Sequence, residues 1–179
     1  MIRAALFWGG LALVLGAINL QIAEKEAILE EGRTVLLRLR PVDPRSLMQG
    51  DYMRLAYEET LLPRERTDLP PDGRIVVALD EDGVARFVRV HGGGEPPRAG
   101  EALLRYRLRH PPGLDAAIGP PELSFGAESF TFQEGHAEAY QRAAYGVLKV
   151  DPEGGSVLVG LADEDRRPIV PDAAGPSGP

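Results

Sequence analysis

Ser46 stands just before Gly50-Asp51 in a Ser-x-x-x-Gly-Asp string, a spacing that could hold a serine nucleophile beside a turn. A serine hydroxyl needs a base, commonly a lysine whose pKa has been lowered. The only lysines are Lys25 and Lys149, and neither has surroundings suited to that task. His91-Gly92-Gly93-Gly94 has the composition of an oxyanion loop. That chemistry also needs a Gly-x-Ser-x-Gly elbow, which no serine here occupies, so a glycine-rich surface turn is the simpler reading. Glu134, His136 and Glu138 are close enough in sequence to suggest a metal site. On a helix, however, Glu134 and Glu138 share a face that His136 does not, and no metal ligand set is assigned. There is no phosphate loop, dinucleotide fingerprint or cysteine. No catalytic residue and no cofactor is expected.

Binding is the other chemistry available. Asp43, Arg45, Ser46, Asp51 and Tyr52 could line one pocket or docking surface, joined by Glu134 and His136. The plainer reading of the same residues is structural. Asp43-Pro44 opens a turn, and Arg45 pairs with Asp51 or Asp43. Gly50 takes a positive φ in a tight turn, and Asp51 bonds to backbone amides at the start of a strand. Leu55 and Tyr57 then share one face as core, while Tyr52 points to the other with a hydroxyl to satisfy. Both readings stand at this point, and the structural one is the commoner fate of such residues.

Strands must position these groups. Thr34–Arg40 reads as a strand, and Tyr52–Glu58 alternates, with Met53, Leu55 and Tyr57 on one face and Arg54, Ala56 and Glu58 on the other. Arg74–Asp80 and Val84–Val90 flank Glu81-Asp82-Gly83, a strong hairpin signal. Ala102–Arg109 and Glu128–Gln133 read as further strands. His136–Tyr145 has helical composition and is expected to end at Gly146. Gly146–Val150 and Ser156–Leu161 form a second hairpin. Leu61–Asp72 and Pro111–Pro121 read as loops, and Pro168–Pro179 as a tail with nothing to bury. A strand–loop–Gly-acid–strand pattern occurs twice, ending in Leu55 and Tyr57 and then in Leu104 and Tyr106, which raises the idea of a duplicated unit. The expected fold is mainly β within an α+β chain: an N-terminal transmembrane helix, then one small β-barrel or sandwich-like domain with one short helix. The expected boundaries are an anchor at 1–23, a helical stalk at 24–33, the β-rich domain at 34–165 and a disordered Pro/Gly tail at 166–179.

The N-terminal segment supplies an address. Ala4–Ala23 carries no charge, and ~20 helical residues span the hydrocarbon core of a bilayer. Arg3 is the only charge before the run, so the positive-inside rule keeps the N-terminus in the cytoplasm and sends the rest across. The best small-x-small cleavage string, Val14-Leu15-Gly16, is poor, which favours an uncleaved signal-anchor over a cleaved signal peptide. Beyond it, Ile18, Ile22 and Leu29 fall near one face of a continuing helix that could pack on the domain or a partner helix. Without Met1–Ala23 the chain has 19 basic and 27 acidic side chains, a net of −8. That balance argues against nucleic acid and anionic lipid heads as partners of the soluble part.

Gly50, Asp51, Tyr52, Leu55 and Tyr57 together spell GDYxxLxY. Pro41-Val42-Asp43-Pro44-Arg45-Ser46-Leu47 precedes them, and Phe132-Gln133-Glu134-Gly135-His136 later leads to Tyr140 and Tyr145-Gly146. With these strings the chain resembles the GDYxxLxY protein family of bacterial membrane-anchored proteins, from about residue 1 to about 165. The resemblance implies a periplasmic, or more generally extracytoplasmic, β-rich domain held at the cytoplasmic membrane. It also implies association with multi-helix membrane proteins. It implies no activity. Membrane lipid around the N-terminal helix and an integral-membrane protein are therefore the expected partners, with a non-enzymatic accessory role. The alternative is a periplasmic ligand-binding or hydrolytic domain with its site around the motif.

Overall fold

The computed structural model describes residues 2–40, 52–58, 69–109, 122–133 and 135–171. Gly50, Asp51, Asp43, Arg45, Ser46 and Glu134 lie outside the described residues.

Helix α1 (Ile2–Glu31) runs 30 residues without a break. It is long and apolar enough to cross a membrane, and its apolar window buries none of its surface against the rest of the chain. The helix ends because the chain is claimed by the sheet. Gly32 N–H still donates to the Ile28 carbonyl at 2.9 Å. A Cβ at Gly32 would lie 2.2 Å from that carbonyl oxygen and 3.1 Å from the Val150 nitrogen, so only glycine fits between helix and sheet. Ile28 is buried at the foot of the helix, whereas Leu29 stays exposed. The residue that anchors the stalk to the domain is thus Ile28, not Leu29, because the last turn is rotated to put Ile28 against β8 and β9.

The strands are β1 (Arg33–Arg38), β2 (Tyr52–Arg54), β3 (Asp72–Leu79), β4 (Ala85–Val90), β5 (Glu101–Arg109), β6 (Glu122–Ser124), β7 (Ser129–Thr131), β8 (Tyr145–Val150) and β9 (Ser156–Ala162). A short helix, α2 (Ala137–Tyr140), lies between β7 and β8. The strands form three sheets ordered β1-β8-β9, β2-β7 and β4-β3-β5-β6. Among the described residues the sheets are sandwich-like and do not close into a barrel. A parallel bridge between Leu36 and Val84 and the bond from Leu36 N–H to the Gly83 carbonyl, 2.9 Å, join the first and third sheets. The anti bridge between Leu39 and Tyr57 ties in the motif segment.

Both expected hairpins form. β3 and β4 pair antiparallel around Gly83, whose φ of 81° suits glycine, and β8 pairs antiparallel with β9. The core between the sheets includes Val35, Leu37, Leu55, Tyr57, Ile75, Val77, Leu104, Tyr106, Leu148 and Leu161.

Two expectations are corrected, and Glu122–Ser124, to which the sequence pattern assigned no element, is a strand paired with β5 through Leu108 and Leu123. Helix α2 stops at Tyr140 instead of running to Gly146, and Tyr145 and Gly146 open β8. Its bonds Ala139→His136 and Ala143→Tyr140 reach only three residues back, and Ala144 N–H then turns to the Ala162 carbonyl at 2.8 Å, so sheet pairing captures the chain. The tail is not empty of core: Ile169 is buried and its N–H donates to the Leu161 carbonyl at 2.9 Å, covering the edge of β9. The duplication idea gains no support from the pairing. β4 and β5 both flank β3, whereas β1 pairs with β8 and β2 with β7.

Candidate functional site

From Tyr52 to Glu58 the motif segment alternates between exposed and covered positions. Met53, Leu55 and Tyr57 are buried, and Tyr52, Arg54 and Glu58 are exposed. Tyr57 is the most constrained of them. Its hydroxyl donates to the Ala127 carbonyl at 2.5 Å. Its ring meets Phe125 edge-on at 6.3 Å between centroids. Burial, with the negative charge of Glu128 behind it, pushes the Tyr57 phenol well above the ordinary tyrosine value. Glu128 is itself tied down: Phe125 N–H donates to it at 2.6 Å and the Ser124 hydroxyl at 3.0 Å. Leu55 N–H donates to the Glu128 carbonyl at 2.9 Å. Tyr57 is therefore a buried cross-brace with its proton held, not an acid or a nucleophile.

Next to this strand the Phe130, Phe132 and Tyr140 rings pack with centroids 5.0–6.4 Å apart. Phe130 is the cross-strand partner of Met53 in the β2–β7 pair. The aromatic cluster thus sets α2 and the turn after it beside β2. Between them lies a cleft of ≈ 730 Å³. Arg54, Ala56 and Glu58 line one wall, Gln141 and Arg142 another, and Asp163, Glu164 and Asp165 also line it.

Charge in this cleft is mixed. Arg38 Nε lies 3.4 Å from Glu58 Oε1, and its guanidinium carbon is 5.8 Å from the Tyr145 ring centroid. Arg54 and Arg142, both exposed, make no hydrogen bond or ion pair through their side chains among the described residues. Exposed pairs such as Arg38–Glu58 contribute ~0–1 kcal/mol to stability, so these charges are available for recognition at little cost to the fold. Among the described residues no group of three histidine, cysteine or carboxylate side chains could hold a metal ion.

Of the seven residues expected to form a binding surface, two are described. Tyr52 is 42 % exposed and pairs across from Thr131. His136 stands at the N-cap of α2 without a side-chain capping bond. Neither lines the cleft. Asp43, Arg45, Ser46, Asp51 and Glu134 fall outside the described residues. The cleft residues that sequence reasoning missed are Arg142 and the Asp163–Asp165 run. In sequence they look like ordinary solvated charges, and only their convergence on Arg54 marks them.

A Gly-acid turn is visible at Gly100-Glu101. Gly100 has a φ of 84°. The Glu101 carboxylate accepts from Arg98 N–H at 2.9 Å and from Arg89 Nη1 at 2.8 Å. The Arg89 hydrogen bond, more than any other influence, pulls the Glu101 carboxyl down to about 2. An acid after glycine thus fixes the start of β5 and pairs with an arginine.

One further contact links the two ends of the sequence pattern. The space a Cβ on Gly146 would need is taken by Tyr57, whose Cε1 would lie 2.7 Å away. The GDYXXLXY protein family matches residues 14–161, from the second half of α1 to β9. The chain belongs to the GDYXXLXY protein family. The match covers the second half of α1 and every strand from β1 to β9, with the motif segment among them. No curated protein and no solved structure matches the chain.

Proposed function

We propose that this chain is a membrane-anchored accessory protein without enzymatic activity. In this reading α1 spans the cytoplasmic membrane with its N-terminus inside. The β domain sits on the extracytoplasmic face and docks, through the cleft beside the motif strand, on an integral-membrane partner or envelope component. The observation that carries the reading is the state of α1. Leu6, Phe7, Trp8, Leu11, Leu13, Val14, Leu15, Ile18, Leu20 and Ile22 are all exposed, a surface that water does not tolerate and lipid does. Only Gly32 separates this helix from β1. At ~1.5 Å per residue, Glu31 lies about 12 Å beyond Ala23 along the helix, so the domain is held against the membrane surface, where a membrane protein partner would be met.

The docking half of the reading is supported by Arg54 and Arg142, which line the cleft with the acidic run Asp163–Asp165 and make no side-chain ion pair among the described residues. Mixed charge of this kind selects partners and orients them. Protease accessibility and carbonate extraction, in right-side-out and inverted vesicles, test the anchoring. Full-length protein retained after carbonate and digested only from the outer side supports it, and release of a shortened chain overturns it. The chain has no cysteine, so Arg142→Cys gives a unique position for a thiol-reactive photocrosslinker. An adduct to an integral-membrane protein is expected, and its absence together with recovery of the chain alone removes the docking reading.

A further inference from the structure

A second groove, of ≈ 870 Å³, lies between α1 and the β4-β3-β5-β6 sheet, away from the motif cleft. Its lining is mostly cationic, with Lys25, Arg74, Arg105, Arg107 and Arg109 against one carboxylate, Asp72. This runs against the acidic balance of the soluble part, because net charge is a sum while a groove responds to what lines it. Alternation along β5 places Arg105, Arg107 and Arg109 on one face, and the β3–β5 register sets Arg74 directly across from Arg105. The three β5 guanidinium groups make no ion pair or hydrogen bond among the described residues. Asp72 stands across from Arg107 in the β3–β5 register, so the groove holds one carboxylate against five cations, and an added anion would lower the repulsion among them.

Position supplies the rest. Lys25 comes two residues after Ala23, where the uncharged run ends. That is about 3 Å along the helix, inside the ~5–7 Å headgroup layer of the leaflet that α1 enters. The groove therefore opens at the level of lipid phosphates.

We propose that this groove binds the phosphate of a phospholipid headgroup from that leaflet, with the β5 arginines as the main anion ligands. The inference rests on the membrane-anchored reading of α1. Arginine suits phosphate through its planar, forked donors. Such a contact would seat the domain at a set angle on the membrane and so orient the motif cleft.

The test uses the full chain purified in detergent with added phosphatidylglycerol, read by native mass spectrometry for lipid retained per protein. Wild type should retain bound phosphatidylglycerol. Arg105→Gln/Arg107→Gln should weaken retention at least tenfold. Arg86→Gln, which removes an exposed charge outside the groove, should leave retention unchanged. Equal retention by wild type and the double variant overturns the proposal, as does equal loss in Arg86→Gln. Inorganic phosphate at millimolar concentration should not displace the lipid; full displacement means that the groove takes a free anion instead. Carbonate extraction of the same variants separates the two readings. A wild-type chain that is not membrane-retained removes the anchoring and this inference together. A retained chain whose lipid binding ignores the arginines removes the inference alone.

Discussion

Tyr57 and Gly146 fit as ring and gap: the Tyr57 ring fills the space beside the Gly146 backbone where any Cβ would stand. The arrangement recurs in the other main sheet, where Tyr106 covers its cross-strand partner Gly73 with the hydroxyl 2.8 Å from the position of a Cβ. Pairing a strand glycine with an aromatic restores the packing that glycine lacks. It makes each glycine intolerant of even one methyl. Gly146→Ala should therefore cost ~1–3 kcal/mol, the usual range for overpacking a filled core. In a Tyr57→Ala background the same substitution should add far less. Urea unfolding of the four proteins in detergent gives the double-mutant cycle, and an additive result would mean that the contact does not carry the cost.

Leu55 is 6 % exposed and packs between the sheets. Leu55→Asp would bury a carboxylate without a partner, and the domain should fail to fold. Far-ultraviolet circular dichroism and protease resistance report this directly. A folded variant would show that the faces of the motif strand are assigned wrongly.

Helix α1 ends in Glu30 and Glu31 with no basic residue in its last turn, the wrong charge for a helix C-terminus. Lys149, on β8, supplies the missing cation by donating from Nζ to the Gly32 carbonyl at 3.1 Å. Lys149→Met should lower stability by ~1 kcal/mol, the scale of a charge at a helix end plus its hydrogen bond. It should also make the junction around Gly32 easier to cleave by protease. Unchanged cleavage would show that Ile28 alone secures the helix to the domain.

Acid should weaken the β4–β5 region through Glu101. Arg89, Arg98 N–H and the Arg98 charge favour its ionised form, so its folded pKa falls from 4.5 to about 2. A depressed carboxyl contributes stability that is present above the unfolded value and lost as pH falls through the folded one. The loss should appear between about 4.5 and 2. Glu101→Gln should be less stable than wild type at neutral pH and flatter across that window. Parallel acid titrations that keep the wild-type slope in the variant would assign the transition to other carboxylates.

Alkali should act through the buried phenols. Burial is the main cause that raises both Tyr57 and Tyr106 above 10.0, with Glu128 adding to the first and Asp72 to the second. A raised folded pKa means stability that is complete below the unfolded value and lost as pH climbs above it. Unfolding should therefore steepen above pH 10, with part of the tyrosinate absorbance of the five tyrosines appearing only at the unfolding step. Tyr57→Phe should shallow that alkaline limb while losing ~1 kcal/mol at neutral pH with the bond to the Ala127 carbonyl.

Local pattern alone determined several parts of this protein. The uncharged run that becomes α1, the two-residue alternation of Met53, Leu55 and Tyr57, and the Asp-Gly turn at Gly83 are each dictated by neighbours in sequence. Helix period, strand period and turn chemistry act over a few residues, so they are readable without a partner. Tertiary structure decided everything that needed a distant partner. It chose Ile28 over Leu29 as the foot of the helix, placed Lys149 at the end of α1, brought Ile169 back onto β9 and made Glu122–Ser124 a strand through β5. It also gathered Arg54, Arg142 and Asp163–Asp165 into one cleft and Lys25 with the β5 arginines into another. On a strand or a turn each of these charges obeys the local rule that polar residues face outward. Which of them meet depends on how the sheets stack, and that is settled by burial of the core between them.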